Sequence, residues 1–131
     1  MISRKDFTII IPCIYFSDVK KYIKNIRKYY KKVKIIICLN KFYSKKIKDK
    51  NLKIIFTKSK PIGKKRNIAV NASKSKYLAF IDSDAFPAKN WIESTFSFLD
   101  KKKINIIAGP HIDPPNQNNL QRLVGVIKKS F

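Results

Sequence analysis

A chain of 131 residues has room for one domain with a core of its own. Its composition, 44% hydrophobic and 12% aromatic, excludes a disordered basic tail. The formal net charge of +22 comes from 30 basic residues, mostly scattered lysines; this pattern favours a solvated lysine surface over a nucleic-acid binder and leaves attraction to an anionic membrane open.

The pattern contains no signal peptide and no membrane span. The apolar stretch from Phe7 ends at Pro12, and no run approaches the roughly 20 apolar residues that a span needs. We therefore expect a cytoplasmic protein, with a peripheral position at the inner face of the membrane as the further option that the charge allows. In such a protein Cys13 and Cys38 are small core residues rather than a disulfide.

Hydrophobic periodicity predicts strands and helices that alternate along the chain. In chain order these are a strand over Phe7–Ile11, a helix from Asp18 to about Tyr30, strands over Lys34–Leu39 and Leu52–Phe56, a helix from Gly63 to before Lys74, a strand over Tyr77–Ile81, a helix from Trp91 to about Lys101, a strand over Ile104–Ala108 and a last helix over Leu120–Lys128. Asp18 is the expected cap of the first helix, and Trp91, Thr95, Phe98 and Leu99 are the expected inward face of the third. The alternation predicts a doubly wound, mostly parallel sheet.

Two carboxylates, Asp82 and Asp84, follow the fourth predicted strand directly. Clustered acids at the end of a buried strand are costly unless a cation neutralises them, and this chain has only 8 acids. Ligands of parallel sheets bind beyond the carboxyl ends of the strands, where Pro12 and Asn40 also fall. The pattern predicts a site for a hard divalent cation, Mg²⁺ or Mn²⁺, that bridges phosphate groups.

A second anion site is predicted at the start of the second helix, Gly63-Lys64-Lys65-Arg66-Asn67. Backbone amides at a helix N-terminus and a fixed guanidinium both suit phosphate. Arg66 is the most interesting of these side chains because its helix position aims it towards the cleft.

These motifs, in this order and spacing, resemble glycosyltransferase family 2. The matching segments are Phe7–Pro12, Gly63–Ala69, Phe80–Pro87 and Ala108–Pro110 followed by Pro114-Pro115, which together cover nearly the whole chain. The resemblance implies a GT-A fold, related to the Rossmann fold, and a single nucleotide-sugar-binding domain over 1–131. It implies a hexosyltransferase that transfers a sugar, with inversion, from a nucleotide-diphosphate sugar to a glycan or lipid-linked acceptor of the cell envelope.

The resemblance also implies roles for individual residues. Asp84 is the metal ligand, supported by Asp82, which also contacts the ribose or the donor sugar. The expected substrate-binding residues are Pro12, Cys13, Tyr15, Asn40, Gly63, Arg66, Asp82 and Ser83.

The chain departs from the family at two places. Cys38-Leu39-Asn40-Lys41 stands where the family carries an aspartate that reads the nucleobase, which puts uracil specificity in doubt. The family's catalytic base lies in a later acidic segment, so we expect an N-terminal fragment with the base beyond Phe131; within the chain the weaker candidate is Asp113, with His111 as helper.

Two other classes of function compete with this interpretation. A nucleotidyltransferase would use the same carboxylates, but it would carry a glycine-rich loop after the first strand, and Cys13–Phe16 contains no glycine. A non-catalytic basic module would bind anionic membrane or nucleic acid through its lysines, but it leaves the two acids unexplained.

Overall fold

The computed structural model describes residues 3–45, 47–102, 104–109, 117–120 and 122. A short 3-10 turn over Arg4–Asp6 precedes the main elements. These are β1 (Phe7–Pro12), α1 (Phe16–Tyr29), β2 (Lys34–Leu39), β3 (Leu52–Phe56), α2 (Ile62–Asn71), β4 (Tyr77–Phe80) and α3 (Trp91–Lys102). The strands form one sheet in the order β3-β2-β1-β4, and all pairs are parallel, which confirms the predicted α/β class.

The two central strands, β1 and β2, are covered on both faces. All six residues of β1 are buried, and in β2 only Lys34 is exposed. Ile9 pairs with Ile35 and Ile11 with Ile37, so β-branched side chains stack across the strands. Such continuous apolar runs are typical of parallel strands between two helical layers.

Helices cover both faces of the sheet. On one face, Ile9, Ile11 and their partners pack with α1 and with Ile92 of α3. On the other, Ile10, Ile36 and Cys38 pack against Ala69 of α2. Successive strand residues point to opposite faces, so the alternation between the two clusters follows from the pleat. The sheet is therefore doubly wound, as predicted.

Helix α1 begins three residues earlier than the expected cap at Asp18 implies. Its cap residue is Tyr15, and Asp18 is the third helical residue, with a carboxylate that accepts the Tyr15 backbone N–H at 3.1 Å. Asp18 therefore accepts a backbone N–H at the helix start, as a cap residue would, but it does so as a residue of the first helical turn. Val19, Ile23 and Ile26 form the buried stripe.

The predicted fifth strand, Ile104–Ala108, is wrong. The segment has no strand structure, residues 105–109 are exposed, and Ile106 is 85% exposed. An apolar run forms a buried strand only where it can hydrogen-bond to a neighbouring strand and pack under a covering layer. Within the described residues β4 pairs with β1 alone, so neither is present there. Nearly all of the predicted last helix, Leu120–Lys128, lies outside the described residues.

Helix α3 is rotated relative to the predicted inward face. Phe98 is 46% exposed, whereas Ile92 is buried and the Phe96 ring packs at 5.6 Å from that of Phe7. Trp91 and Leu99 contact the core as expected, and Thr95 is half-buried. Among the described residues, no helix is both long and apolar enough to cross a membrane.

Candidate functional site

The carboxyl ends of β1, β2 and β4 lie at one edge of the sheet, because parallel strands end on the same side. The Cys13 N–H donates to the Cys38 carbonyl at 3.0 Å, and the Ile81 N–H donates to the Ile10 carbonyl at 3.1 Å. These bonds extend the ladder just past the strands. The loops that begin at Cys13, Asn40 and Asp82 therefore leave the sheet side by side, as the sequence predicts.

Arg66 reaches this edge from α2 and pairs with Asp82. Its guanidinium donates to the Asp82 carboxylate at 2.7 Å, and the two side chains are 38% and 64% exposed. The guanidinium also lies 5.9 Å from the centre of the Phe80 ring, and its Nε is buried with no partner among the described residues. A surface pair of this kind contributes little to folding, so its position at the edge is its more informative property.

Asp84 lies on the turn after β4, and its side chain is exposed. The turn is closed by the Ala85 N–H, which donates to the Asp82 carbonyl at 3.2 Å, and Ser83 within it is half-buried. Among the described residues no group of three or more acidic, histidine or cysteine side chains surrounds a common point. Asp82 and Asp84 carry the oxygen ligands that Mg²⁺ prefers, and such an ion takes most of its other ligands from water and a bound phosphate.

Lys65 is a buried cation that the sequence analysis did not single out. Its side chain is 3% exposed, and its ammonium donates to the Cys13 carbonyl at 2.9 Å. Lys65 precedes the buried Ala69 by one helical turn, and this spacing on the inward face of α2 was the available signal. The bond ties the loop after β1 to α2.

The Cys13 thiol faces the core rather than the edge. Its side chain is 5% exposed, and burial raises the pKa of the Cys13 thiol to about 12 from its ordinary 9.0, against the opposing effect of the Lys65 charge. Both backbone polar groups of Cys13 are also bonded, its N–H to the Cys38 carbonyl and its carbonyl to Lys65, so Cys13 supports the edge from within. Pro12 is buried as the last residue of β1, while Tyr15 is 49% exposed beside it.

Asn40 holds the loop that follows β3. Its side-chain nitrogen donates to the carbonyl oxygens of Thr57 at 3.1 Å and of Ser59 at 2.7 Å. Carbonyl oxygens can only accept, so these two bonds fix the orientation of the amide and engage both of its hydrogens. The group that Asn40 retains for a ligand is its oxygen, an acceptor.

The predicted anion site at Gly63 stays a prediction. Gly63 is exposed as the second residue of α2, and an added Cβ would meet nothing within 4 Å, so no close contact requires a glycine there. The first turn carries no acid, which keeps the helix N-terminus suited to an anion. His111, Asp113 and the Pro110 and Pro114-Pro115 segments lie outside the described residues.

The chain matches a known protein family in sequence and solved structures in fold. The sequence profile of the family described as Glycosyl transferase family 2 matches residues 8–127. No curated protein sequence matches the chain significantly.

Solved structures share the fold. The crystal structure of S. aureus TarS 1-349 superposes with a TM-score of 0.58 at 18% identity, covering 80% of this chain and 38% of that chain. The same TarS segment in complex with UDP-GlcNAc gives 0.57 at 17% identity, covering 80% and 37%. A structure of S. aureus TarS of greater length gives 0.57 at 18% identity, covering 79% and 23%. The chain thus spans about two-fifths or less of these structures.

Proposed function

The chain belongs to glycosyltransferase family 2, and we propose that it binds a nucleotide-diphosphate sugar at the carboxyl edge of its sheet, as the donor-binding part of a glycosyltransferase. The observation that carries the proposal is the Arg66–Asp82 pair at 2.7 Å, directly after β4 and beside Asp84. It gathers an anion-binding cation and two cation-binding acids where such sheets bind ligands. The UDP-GlcNAc complex of S. aureus TarS supports this class of donor.

Asp84 and Asp82 would hold the divalent cation, Mn²⁺ or Mg²⁺. When bound, that ion neutralises the charge of the diphosphate, which makes the nucleoside diphosphate a better leaving group. Arg66 acts on the same charge from the other side: its guanidinium moves from the Asp82 carboxylate to a phosphate oxygen, where a planar fork binds well. Ser83 and the α2 N-terminus at Gly63 border the same space.

The nucleobase would lie between Pro12, Cys13, Tyr15 and Asn40. The half-exposed Tyr15 ring offers a stacking surface, while the buried Pro12 and Cys13 would support the loop that carries it. Because the Asn40 amide hydrogens are engaged, its oxygen is left to accept an N–H from the base. An imide edge, such as that of uracil or guanine, offers such an N–H, whereas the corresponding nitrogen of cytosine or adenine only accepts.

The intact enzyme would transfer the sugar with inversion. A base deprotonates a hydroxyl of the acceptor, the resulting oxygen attacks the anomeric carbon, and the bond to the diphosphate breaks. The acceptor is a glycan or lipid-linked glycan of the cell envelope, and the protein works in the cytoplasm, peripherally at the inner face of the membrane. The catalytic base belongs to a part of the enzyme outside the donor-binding edge.

The proposal is tested by calorimetric titration of the full chain with UDP-GlcNAc, with and without Mn²⁺. We expect binding that Mn²⁺ strengthens in the wild-type chain, and no strengthening by Mn²⁺ in Asp84→Asn. The matched control is Asp6→Asn, which removes an acid just before β1, at the end of the strand away from the carboxyl edge. Metal-dependent affinity that survives in Asp84→Asn would refute the role of Asp84.

A further inference from the structure

Two phenylalanines contact each other on the surface, at the β3 edge of the sheet. Phe42 follows β2 and is 77% exposed; Phe56 ends β3 and is 48% exposed. Their ring centres are 6.2 Å apart, with an angle of 83° between the ring planes. Edge-to-face contact stabilises the pair, but most of its apolar surface remains in water. Exposed apolar patches of this kind often mark an interaction surface.

The surroundings of this pair are basic. No acid occurs between Asp49 and Asp82 in the sequence, and Asp49 itself is paired with Arg27 at 2.7 Å. Exposed lysines flank both rings, namely Lys41 next to Phe42, and Lys58 and Lys60 just after Phe56. We call Phe42, Phe56, Lys41, Lys58 and Lys60 the aromatic-lysine patch. It combines an apolar centre with a cationic rim.

We propose that the aromatic-lysine patch docks the protein on an anionic lipid bilayer. Aromatic rings settle at the level of the lipid headgroups, while lysine side chains extend and reach the anionic phosphates around them. Each lysine near such a surface adds to the attraction, and the apolar rings add the part that salt does not screen.

Charge complementarity favours a bilayer over nucleic acid as the partner of the patch. It also favours the patch over the β4 side of the sheet as the surface that docks. No arginine lies between Arg27 and Arg66, so the patch lacks the forked donors that read nucleic-acid phosphates and bases. The opposite edge also has an exposed aromatic with a lysine, Phe86 with the Lys21 ammonium 5.4 Å from its ring centre. There, however, Asp82 and Asp84 precede Phe86 and would repel an anionic surface.

The patch lies beside the donor-binding edge. Phe56 is the last residue of β3, and the carboxyl ends of all four strands point the same way. Docking through the patch would therefore leave the acids after β4 outside the contact, while the rest of that edge stays within reach of a lipid-linked acceptor. This orientation rests on the proposed function; binding of the patch to lipid does not, and it can be measured without any donor.

The test is co-sedimentation of the full chain with vesicles of phosphatidylcholine alone or with about one-third phosphatidylglycerol. We expect binding to the anionic vesicles only, weakened by salt, and a loss of about tenfold or more in the double variant Phe42→Ser/Phe56→Ser. The matched control, Phe86→Ser, should bind as the wild type does. Circular dichroism of each variant checks that the fold is retained.

A second pair of variants separates the patch from net charge. Lys41→Gln/Lys58→Gln and Lys24→Gln/Lys28→Gln remove the same two charges, but only the first pair belongs to the patch; Lys24 and Lys28 are exposed on α1. The first should bind anionic vesicles several-fold more weakly than the second. The proposal would be overturned if the two lysine double variants bound anionic vesicles equally, or if loss of both rings left binding unchanged. It would also be overturned if the chain preferred a DNA or RNA duplex to vesicles at equal salt. Donor titration of the ring variant should match the wild type, so either proposal can fail alone.

Discussion

Among the residues that the structure describes, two arginine–aspartate pairs have the same 2.7 Å separation, and they should respond to mutation in opposite ways. Arg66–Asp82 lies at the candidate site, with side chains 38% and 64% exposed. Arg27–Asp49 lies away from it, with side chains 18% and 27% exposed. Asparagine at position 82 or 49 keeps the shape of the side chain and removes its charge.

The stability cost follows from burial. An exposed pair contributes about 0.2–1 kcal/mol, so Asp82→Asn should lower the free energy of unfolding by less than about 1 kcal/mol. Asp49 is less exposed, accepts the Asn51 N–H at 2.9 Å, and binds an arginine that also donates to the Tyr30 and Val33 carbonyls at 2.8 and 2.7 Å. Asp49→Asn should therefore cost more, about 1–3 kcal/mol.

Donor affinity should show the reverse order. Asp82→Asn removes a carboxylate proposed to support the metal, so we expect affinity for UDP-GlcNAc with Mn²⁺ to fall about tenfold or more, equivalent to about 1.4 kcal/mol. Asp49→Asn should leave that affinity unchanged. Urea unfolding and calorimetry on both variants measure the two effects. If Asp82→Asn costs more stability than Asp49→Asn, or if donor affinity changes equally in both, the site assignment is wrong.

Three further predictions concern a buried hydroxyl, a buried thiol and the Asn40 amide. Tyr30→Phe should lower the free energy of unfolding in urea by about 1–3 kcal/mol, because the buried hydroxyl bonds the Lys89 carbonyl at 3.0 Å and the Ile92 N–H at 3.2 Å; an unchanged midpoint would contradict this. Iodoacetamide at pH 8 should not label the buried Cys13 thiol until urea unfolds the chain, and rapid labelling of the folded chain would refute the burial. Because burial raises the pKa of the Cys13 thiol from 9.0 to about 12, the free energy of unfolding should fall as the pH rises above 9. UDP and GDP should bind more tightly than CDP and ADP, a preference that Asn40→Ala should lose; equal affinities would refute the proposed bond between the Asn40 oxygen and a ring imide N–H.

Much of the fold was predictable because the central strands are unambiguous. A run such as Ile35–Leu39, apolar at every position, suits only an element that is covered on both faces. Ile104–Ala108 has a similar composition, yet it is exposed, because burial depends on what neighbours a segment and not on the segment alone. Phe98 shows the same limit within a helix: spacing identifies an apolar stripe, but the packing of α3 on Phe7 selects which residues of the stripe turn inward.

The positions of the candidate residues in the fold were predictable, but their pairings were not. The strand ends located Asp82, Asp84 and Asn40 at one edge, because chain direction fixes where parallel strands end. The sequence could not indicate that Arg66 pairs with Asp82, since the two residues lie on separate elements. Lys65 was missed for another reason: a lysine in a helix is normally solvated, and here a backbone carbonyl at the end of β1 accepts its ammonium.

Two consecutive residues of α2 bond the exits of two neighbouring strands at the carboxyl edge of the sheet. The Lys65 ammonium holds the exit of β1, and the Arg66 guanidinium holds the exit of β4. A small shift of the helix along its axis would therefore move both strand exits together. The Asn40 side chain, by contrast, is bonded to the loop after β3. If the chain binds its donor as proposed, substitutions around Asn40 should change the base preference with less effect on the phosphate contacts than substitutions in α2.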